Sequence, residues 1–127
     1  MKANELRIGN YVKSDNLGII CTSVKSLYGF PECTSIVNHS DRVIDLSAIE
    51  PIPLTEEWLL KFGFEKESEI HYSKTVNGIT YLYYTGTLGQ VRKDIDENKI
   101  LYLCEPKYIH SLQNVMFALT GEELTIK

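Results

Sequence analysis

The sequence predicts an α+β fold: a β-rich single domain of short antiparallel strands, with a short central helix and one C-terminal amphipathic helix. Three observations carry that expectation. Runs of β-branched and aromatic residues recur between turn residues through much of the chain. Asn77-Gly78 separates two such runs in the manner of a two-residue hairpin. The stretch from Tyr108 to Leu124 changes to a helical period, with Ile109, Leu112, Met116 and Leu119 on one stripe and Gly121 as its stop.

The N-terminal half, residues 1–53, reads as a small barrel-like set of strands. Leu6–Val12 is the first candidate strand, and Asp15, Asn16 and Gly18 supply a turn. Gly18–Val24 follows, then a turn at Tyr28-Gly-Phe-Pro-Glu32, where Pro31 biases Phe30 away from helix. Thr34–Val37 and Val43–Ile49 are shorter strand candidates. Pro51-Ile-Pro53 then marks the boundary between two subdomains sharing one core.

The second subdomain, residues 54–127, opens on a helix start. Thr55 is placed to cap it, and Glu56 and Glu57 set negative charge against the positive end of the helix dipole. Trp58, Leu59 and Phe62 form its apolar face, and Gly63 ends it after about two turns. A meander follows, beginning with the hairpin Ile70–Val76 and Ile79–Thr85. Gly86–Gly89 breaks the pattern, Gln90–Lys93 resumes it, and Asp94–Asn98 turns again. Ile100–Cys104 is apolar throughout, as in a strand buried on both faces, and Pro106 precedes the last helix.

Composition bounds the function. With 127 residues, 43% of them hydrophobic and 24% charged, the chain reads as one soluble globular domain. A net charge of −4 disfavours wrapping of bulk nucleic acid, which requires neutralising phosphates. Cys21, Cys33 and Cys104 form no C-x-x-C pair and read as reduced, partly buried thiols. No apolar run approaches the ~18 residues of a membrane span, and the N-terminus lacks a signal core, so a cytoplasmic protein is expected.

Motifs of chemistry are few, and no catalytic residue, metal site or cofactor is expected. Asp94, Asp96, Asn98 and Glu105 superficially space like a calcium loop, but Lys99 replaces the glycine of its sharp turn, so a structural turn is expected. His39, His71 and His110 share no ligand spacing with one another or with the cysteines. Gly86-Thr-Leu-Gly89 is too short for a phosphate loop. The pairs Glu56-Glu57 and Glu122-Glu123 read as solvated charges at helix ends.

Tyrosine is the enriched residue, with eight copies. Alternation sets Tyr81 and Tyr83 on one sheet face and Tyr84 on the other. Such aromatics could stack a base while basic groups hold phosphates, although the β-propensity of tyrosine accounts for the same cluster.

Three segments together resemble a family: Leu6-Arg-Ile-Gly-Asn-Tyr-Val12, Pro51-Ile-Pro-Leu-Thr-Glu-Glu-Trp-Leu-Leu-Lys-Phe-Gly-Phe64, and Tyr108 through Leu124. The resemblance is to short proteins of Bacteroidota and their phages that largely lack assigned function. It implies a small protein carried by mobile elements. By analogy, such proteins act as non-enzymatic binders in counter-defence, and one version is a sponge for a nucleotide immune signal. The expected ligand-binding residues are Tyr81, Tyr83 and Tyr84 as platform, with Arg7, Arg42, Arg92 and Lys107 around the phosphates. A homo-oligomer is expected to enclose the ligand, using an exposed face of the last helix. The alternative is a protein-interaction module that docks on a host or phage protein.

Overall fold

The computed structural model describes residues 5–29, 33–93 and 98–126, with the side chains of 92–99 outside that description. Two antiparallel sheets and two helices make an α+β architecture. The first sheet has the order β1-β2-β3-β4, from Tyr11–Ser14, Ile19–Tyr28, Ser35–Asn38 and Val43–Asp45. After a 3₁₀ turn at Leu46–Ala48, Glu50 returns to β1 and exchanges backbone hydrogen bonds with Lys13 of 2.8 and 3.1 Å. That bridge curls the meander toward a small barrel. Its interior is aliphatic: Leu6, Val12, Val24, Ile36, Ile44 and Ile49 form one buried cluster.

The start of the chain departs from the strand expected at Leu6–Val12. Asn10 Oδ1 accepts the Arg7 backbone N–H at 2.7 Å, and the Asn10 N–H donates to the Arg7 carbonyl at 3.0 Å. A side chain that satisfies the local backbone in this way competes with ladder formation, so β1 begins only at Tyr11. Likewise the candidate Val43–Ile49 splits, with β4 ending at Asp45 before the 3₁₀ turn.

Helix α1 covers Glu56–Lys61, with Thr55 at the capping position but making no side-chain cap bond. The second sheet follows in the order β5-β6-β7-β8-β9, from Glu65–Lys66, His71–Val76, Ile79–Tyr84, Thr87–Lys93 and Asn98–Cys104. Asn77 and Gly78 join β6 to β7 with φ of +53° and +80°, the two positive angles a type I′ turn requires. Thr85 and Gly86 make the next turn, so Gly89 lies within β8 rather than in a break. Helix α2 covers Ile109–Thr120 and is closed by a Gly121 N–H bond to the Phe117 carbonyl at 2.8 Å. The expected turns at Tyr28–Glu32 and Asp94–Asn98 fall largely outside the described residues.

Both helices cover one face of the second sheet. Leu59 and Phe62 of α1 and Ile109, Leu112 and Met116 of α2 pack against Tyr72, Val76, Tyr81 and Leu88. The stripe read along α2 is one residue short, because Leu119 is 41% exposed. In its place the helix buries Gln113 completely. Its Oε1 accepts the Tyr11 N–H at 2.9 Å, and its Nε2 donates to the Gly9 and Leu124 carbonyls, both at 3.1 Å. The acceptor must face an N–H and the amide nitrogen two carbonyls, which sets the orientation of the amide. Beside it, Asn10 Nδ2 donates to Asn114 Oδ1 at 2.8 Å. Tyr11 also packs on Trp58 and Phe62, with ring centroids 5.8 and 6.1 Å away. Helix α2 is therefore tied by polar contacts to the first half and by apolar contacts to the second.

Gln113→Met keeps the volume while leaving the Tyr11 N–H and two carbonyls without their partner. We predict a loss of about 3 kcal/mol, from roughly 1 kcal/mol for each buried group left unsatisfied. Urea unfolding monitored by the single tryptophan, Trp58, measures it.

Candidate binding surface

Alternation along a strand gives the second sheet two unlike faces. One is covered by the helices. On the other, β6 contributes His71, β7 Leu82 and Tyr84, β8 Thr87 and Gly89, and β9 Ile100 and Tyr102. These residues line a groove of about 250 Å³. Cross-strand pairing builds it: His71 stands opposite Tyr84, Leu82 opposite Gly89, and Gly89 opposite Tyr102. The His71 and Tyr84 rings stack with centroids 4.5 Å apart, at 23° between planes. Ser68 Oγ, 2.8 Å from His71 Nδ1, holds that ring from the side.

Gly89 allows this groove. A Cβ at that position would lie 2.7 Å from Ile100 Cγ2 and 3.3 Å from the Leu101 carbonyl oxygen. Any larger residue would therefore force the Ile100 side chain to shift. Tyr84 is 43% exposed, Tyr102 59% and Ile100 65%. None of the seven lining residues is an Asp, Glu, Lys or Arg. Its chemistry is that of an apolar and aromatic docking surface.

Strand β9 accounts for much of this and overturns an expectation. Its apolar run reads as a strand buried on both faces, yet β9 is the last strand of the sheet and an edge. Ile100 and Tyr102 face the uncovered side, and Leu101 is also 43% exposed. Apolar continuity reports the residue types but not the position of a strand in the sheet order.

The residues expected to form a nucleotide site are dispersed. Tyr81 is 1% exposed within the helix-covered core, its hydroxyl 3.4 Å from Gln90 Nε2. Tyr83 packs partly against the same core, and burial holds its phenol above the usual tyrosine range. Only Tyr84 of the three stands on the open face. The Arg7 guanidinium pairs with the Glu123 carboxylate, donates to the Gln113 carbonyl at 3.2 Å and lies 4.1 Å from the centre of the Phe117 ring. It serves the junction between chain start and α2, and Glu123 is correspondingly not the solvated charge expected. Arg42 is exposed at the turn between β3 and β4 of the first sheet. The Arg92 side chain falls outside the described residues. The fold does bring Tyr83 and Lys107 together: with Thr85, Gly86, Glu105 and Pro106 they line a hollow of about 320 Å³.

A third hollow, about 480 Å³, lies at the start of α2 between Glu5, Pro51, Tyr108, His110, Ser111 and Asn114. His110 is buried there, its ring stacked on Tyr108 at 5.8 Å and its Nδ1 sealed from solvent without a protein partner among the described residues. Burial pushes its pKa down, and the nearby Glu5 carboxylate only partly opposes that. Among the described residues no group of three or more His, Cys, Asp or Glu side chains could hold a metal ion. The three cysteines are free, with Cys21 exposed rather than partly buried.

Tyr102 and Ile100 lie outside the expected ligand-binding set, and His110 is weighed in the sequence only as a metal ligand. Asn77-Gly78 signals the β6–β7 hairpin, and Gly89 inside an otherwise regular strand signals a close approach. Extending the register from that hairpin through β8 would have gathered the open face. Nothing local marks His110 as buried.

With its pKa lowered on folding, His110 takes up a proton more readily in the unfolded chain. Stability is then fully present above the ordinary histidine value near 6.5 and is lost as pH falls through it toward the folded-state value. His110→Gln is predicted to flatten this decline, read as urea midpoints between pH 7.5 and about 5.

Compared with protein-family models, curated proteins and solved structures, the chain matches none, so the geometry of these surfaces carries the functional reading.

Proposed function

We propose that this chain is a small non-catalytic binding protein, a protein-interaction module that docks on a host or phage protein through the groove of its open sheet face. The observation that carries this is the uncharged apolar groove around Tyr84, Ile100 and Tyr102. Rigid aromatic and aliphatic side chains on a flat scaffold suit a partner that inserts apolar groups, because little conformational entropy is lost on docking. A phosphate-bearing ligand would need cations beside the platform, and no Lys or Arg among the described side chains lines the groove. The mobile-element setting rests on the family resemblance alone.

A nucleotide-signal sponge is the second reading, supported by the hollow that Tyr83 shares with Lys107. In that reading Lys107 meets a phosphate and Tyr83 contributes part of the wall. A homo-oligomer would help enclose such a ligand.

Affinity capture from a Bacteroidota lysate, paired with thermal shifts against cyclic oligonucleotides, ADP-ribose derivatives and mononucleotides, separates the two. Tyr84→Asp is predicted to lower recovery of the captured partner at least about tenfold, the effect of a charge in a docking groove. Lys107→Ala should leave recovery unchanged, and the nucleotide panel should stay flat. Equal recovery by the Tyr84 variant, with a nucleotide-induced shift that Lys107→Ala removes, would favour the sponge instead.

A further inference from the structure

We propose that the hollow at the start of α2 is a second binding site, which takes the carboxylate of a small organic ligand. It shares no lining residue with the groove on the open sheet face, and it does not rest on the docking reading. An uncapped helix end and a buried histidine without a partner meet there.

Helix α2 runs for 12 residues and holds a partial positive charge of about +0.5 at its start. The first N–H groups of a helix have no acceptor inside it. Here the Ile109 N–H donates to the Ile52 carbonyl at 2.9 Å, and the Leu112 N–H to the Tyr108 carbonyl at 3.1 Å. The N–H groups of His110 and Ser111, between them, have no protein acceptor among the described residues. Tyr108 occupies the capping position but makes no side-chain cap bond. Tyr108, His110 and Ser111 all line the hollow.

His110 is only 5% exposed, and its Nδ1 is sealed without a partner. No described residue bonds its Nε2 either. A histidine so enclosed is normally held by a hydrogen bond from at least one ring nitrogen. A carboxylate in the hollow supplies that bond through one oxygen, while the other accepts from the helix N–H groups beside the Ser111 hydroxyl.

The wall also sets the charge and size of the ligand. Glu5 contributes a carboxylate to it, and no Lys or Arg stands among the lining residues. A phosphate dianion would meet Glu5 with only the partial helix charge in its favour, whereas a single negative charge is what the helix end can balance. The Asn114 amide is already engaged by Asn10 and by the Glu5 carbonyl, so it serves as wall. A volume of about 480 Å³ exceeds what a carboxylate fills, and Pro51 and the half-exposed Tyr108 ring offer apolar surface to the rest of the ligand.

Titration of the isotope-labelled full chain with sodium benzoate, followed at the backbone amides by NMR, tests the site. The His110 and Ser111 amide signals are expected to move saturably. Benzamide, which keeps the shape without the charge, should bind at least about tenfold more weakly, and so should acetate, which lacks the ring. His110→Phe keeps a ring beside Tyr108 without its nitrogens and should weaken benzoate by a similar factor, with the amide spectrum confirming its fold. Wild-type signals at His110 and Ser111 that do not saturate with benzoate would overturn the proposal. So would benzamide binding as tightly as benzoate, or a folded His110→Phe that binds benzoate unchanged. Phenyl phosphate binding more tightly than benzoate would overturn the carboxylate assignment.

Discussion

One buried amide holds the arrangement together. Gln113 sits on α2, the helix that completes the core under the second sheet, yet its side chain bonds to Gly9 and Tyr11 at the start of the first sheet. The same amide reaches Leu124, fixing the segment after the helix. A primary amide buried without partners would be costly; with one acceptor and two donors engaged it becomes a three-way clamp. Arg7, Glu123, Asn10 and Asn114 extend that contact toward the surface. The two hydrophobic clusters are separate, aliphatic in the first half and aromatic-rich in the second. This polar seam joins them, together with the Tyr11 ring against Trp58 and Phe62 and with Ile52, which packs in the second cluster and accepts the Ile109 N–H at 2.9 Å.

The open face follows from that arrangement. Both helices are committed to one side of the second sheet, leaving nothing in the described chain to cover the other. Leu82, Tyr84, Ile100 and Tyr102 stand there because strand alternation sends their neighbours Tyr81, Tyr83 and Leu101 the opposite way. A face of this kind exposes apolar area that a lone soluble domain would normally polarise. A partner docked on the face would cover that area.

Most of the secondary structure was legible in the chain, because hairpin and helix signals are local. Asn77-Gly78 marks its turn through backbone preference, and Gly121 closes α2 as a helix-terminating residue should. The errors share one cause, which is that tertiary position is not written in any short window. Ile100–Cys104 is apolar whether central or at an edge, and Gln113 looks like an exposed polar residue between Leu112 and Asn114. Arg7 reads as a free cation until α2 brings Glu123 to it across 116 positions. The alternation of Tyr81, Tyr83 and Tyr84 was read correctly, but which face the helices would cover was not available from those residues. The candidate site therefore moved from the covered face to the open one, keeping only Tyr84.

Native-state hydrogen exchange at the Tyr11 amide, which Gln113 Oε1 accepts, tests the coupling of the halves most directly. If the clamp joins them into one cooperative unit, this amide exchanges only through global unfolding. Its free energy of opening then equals that of the most protected amides in β7 and β8. Exchange at Tyr11 through a markedly smaller opening, while β7 and β8 stay protected, would contradict it and show two halves that unfold apart.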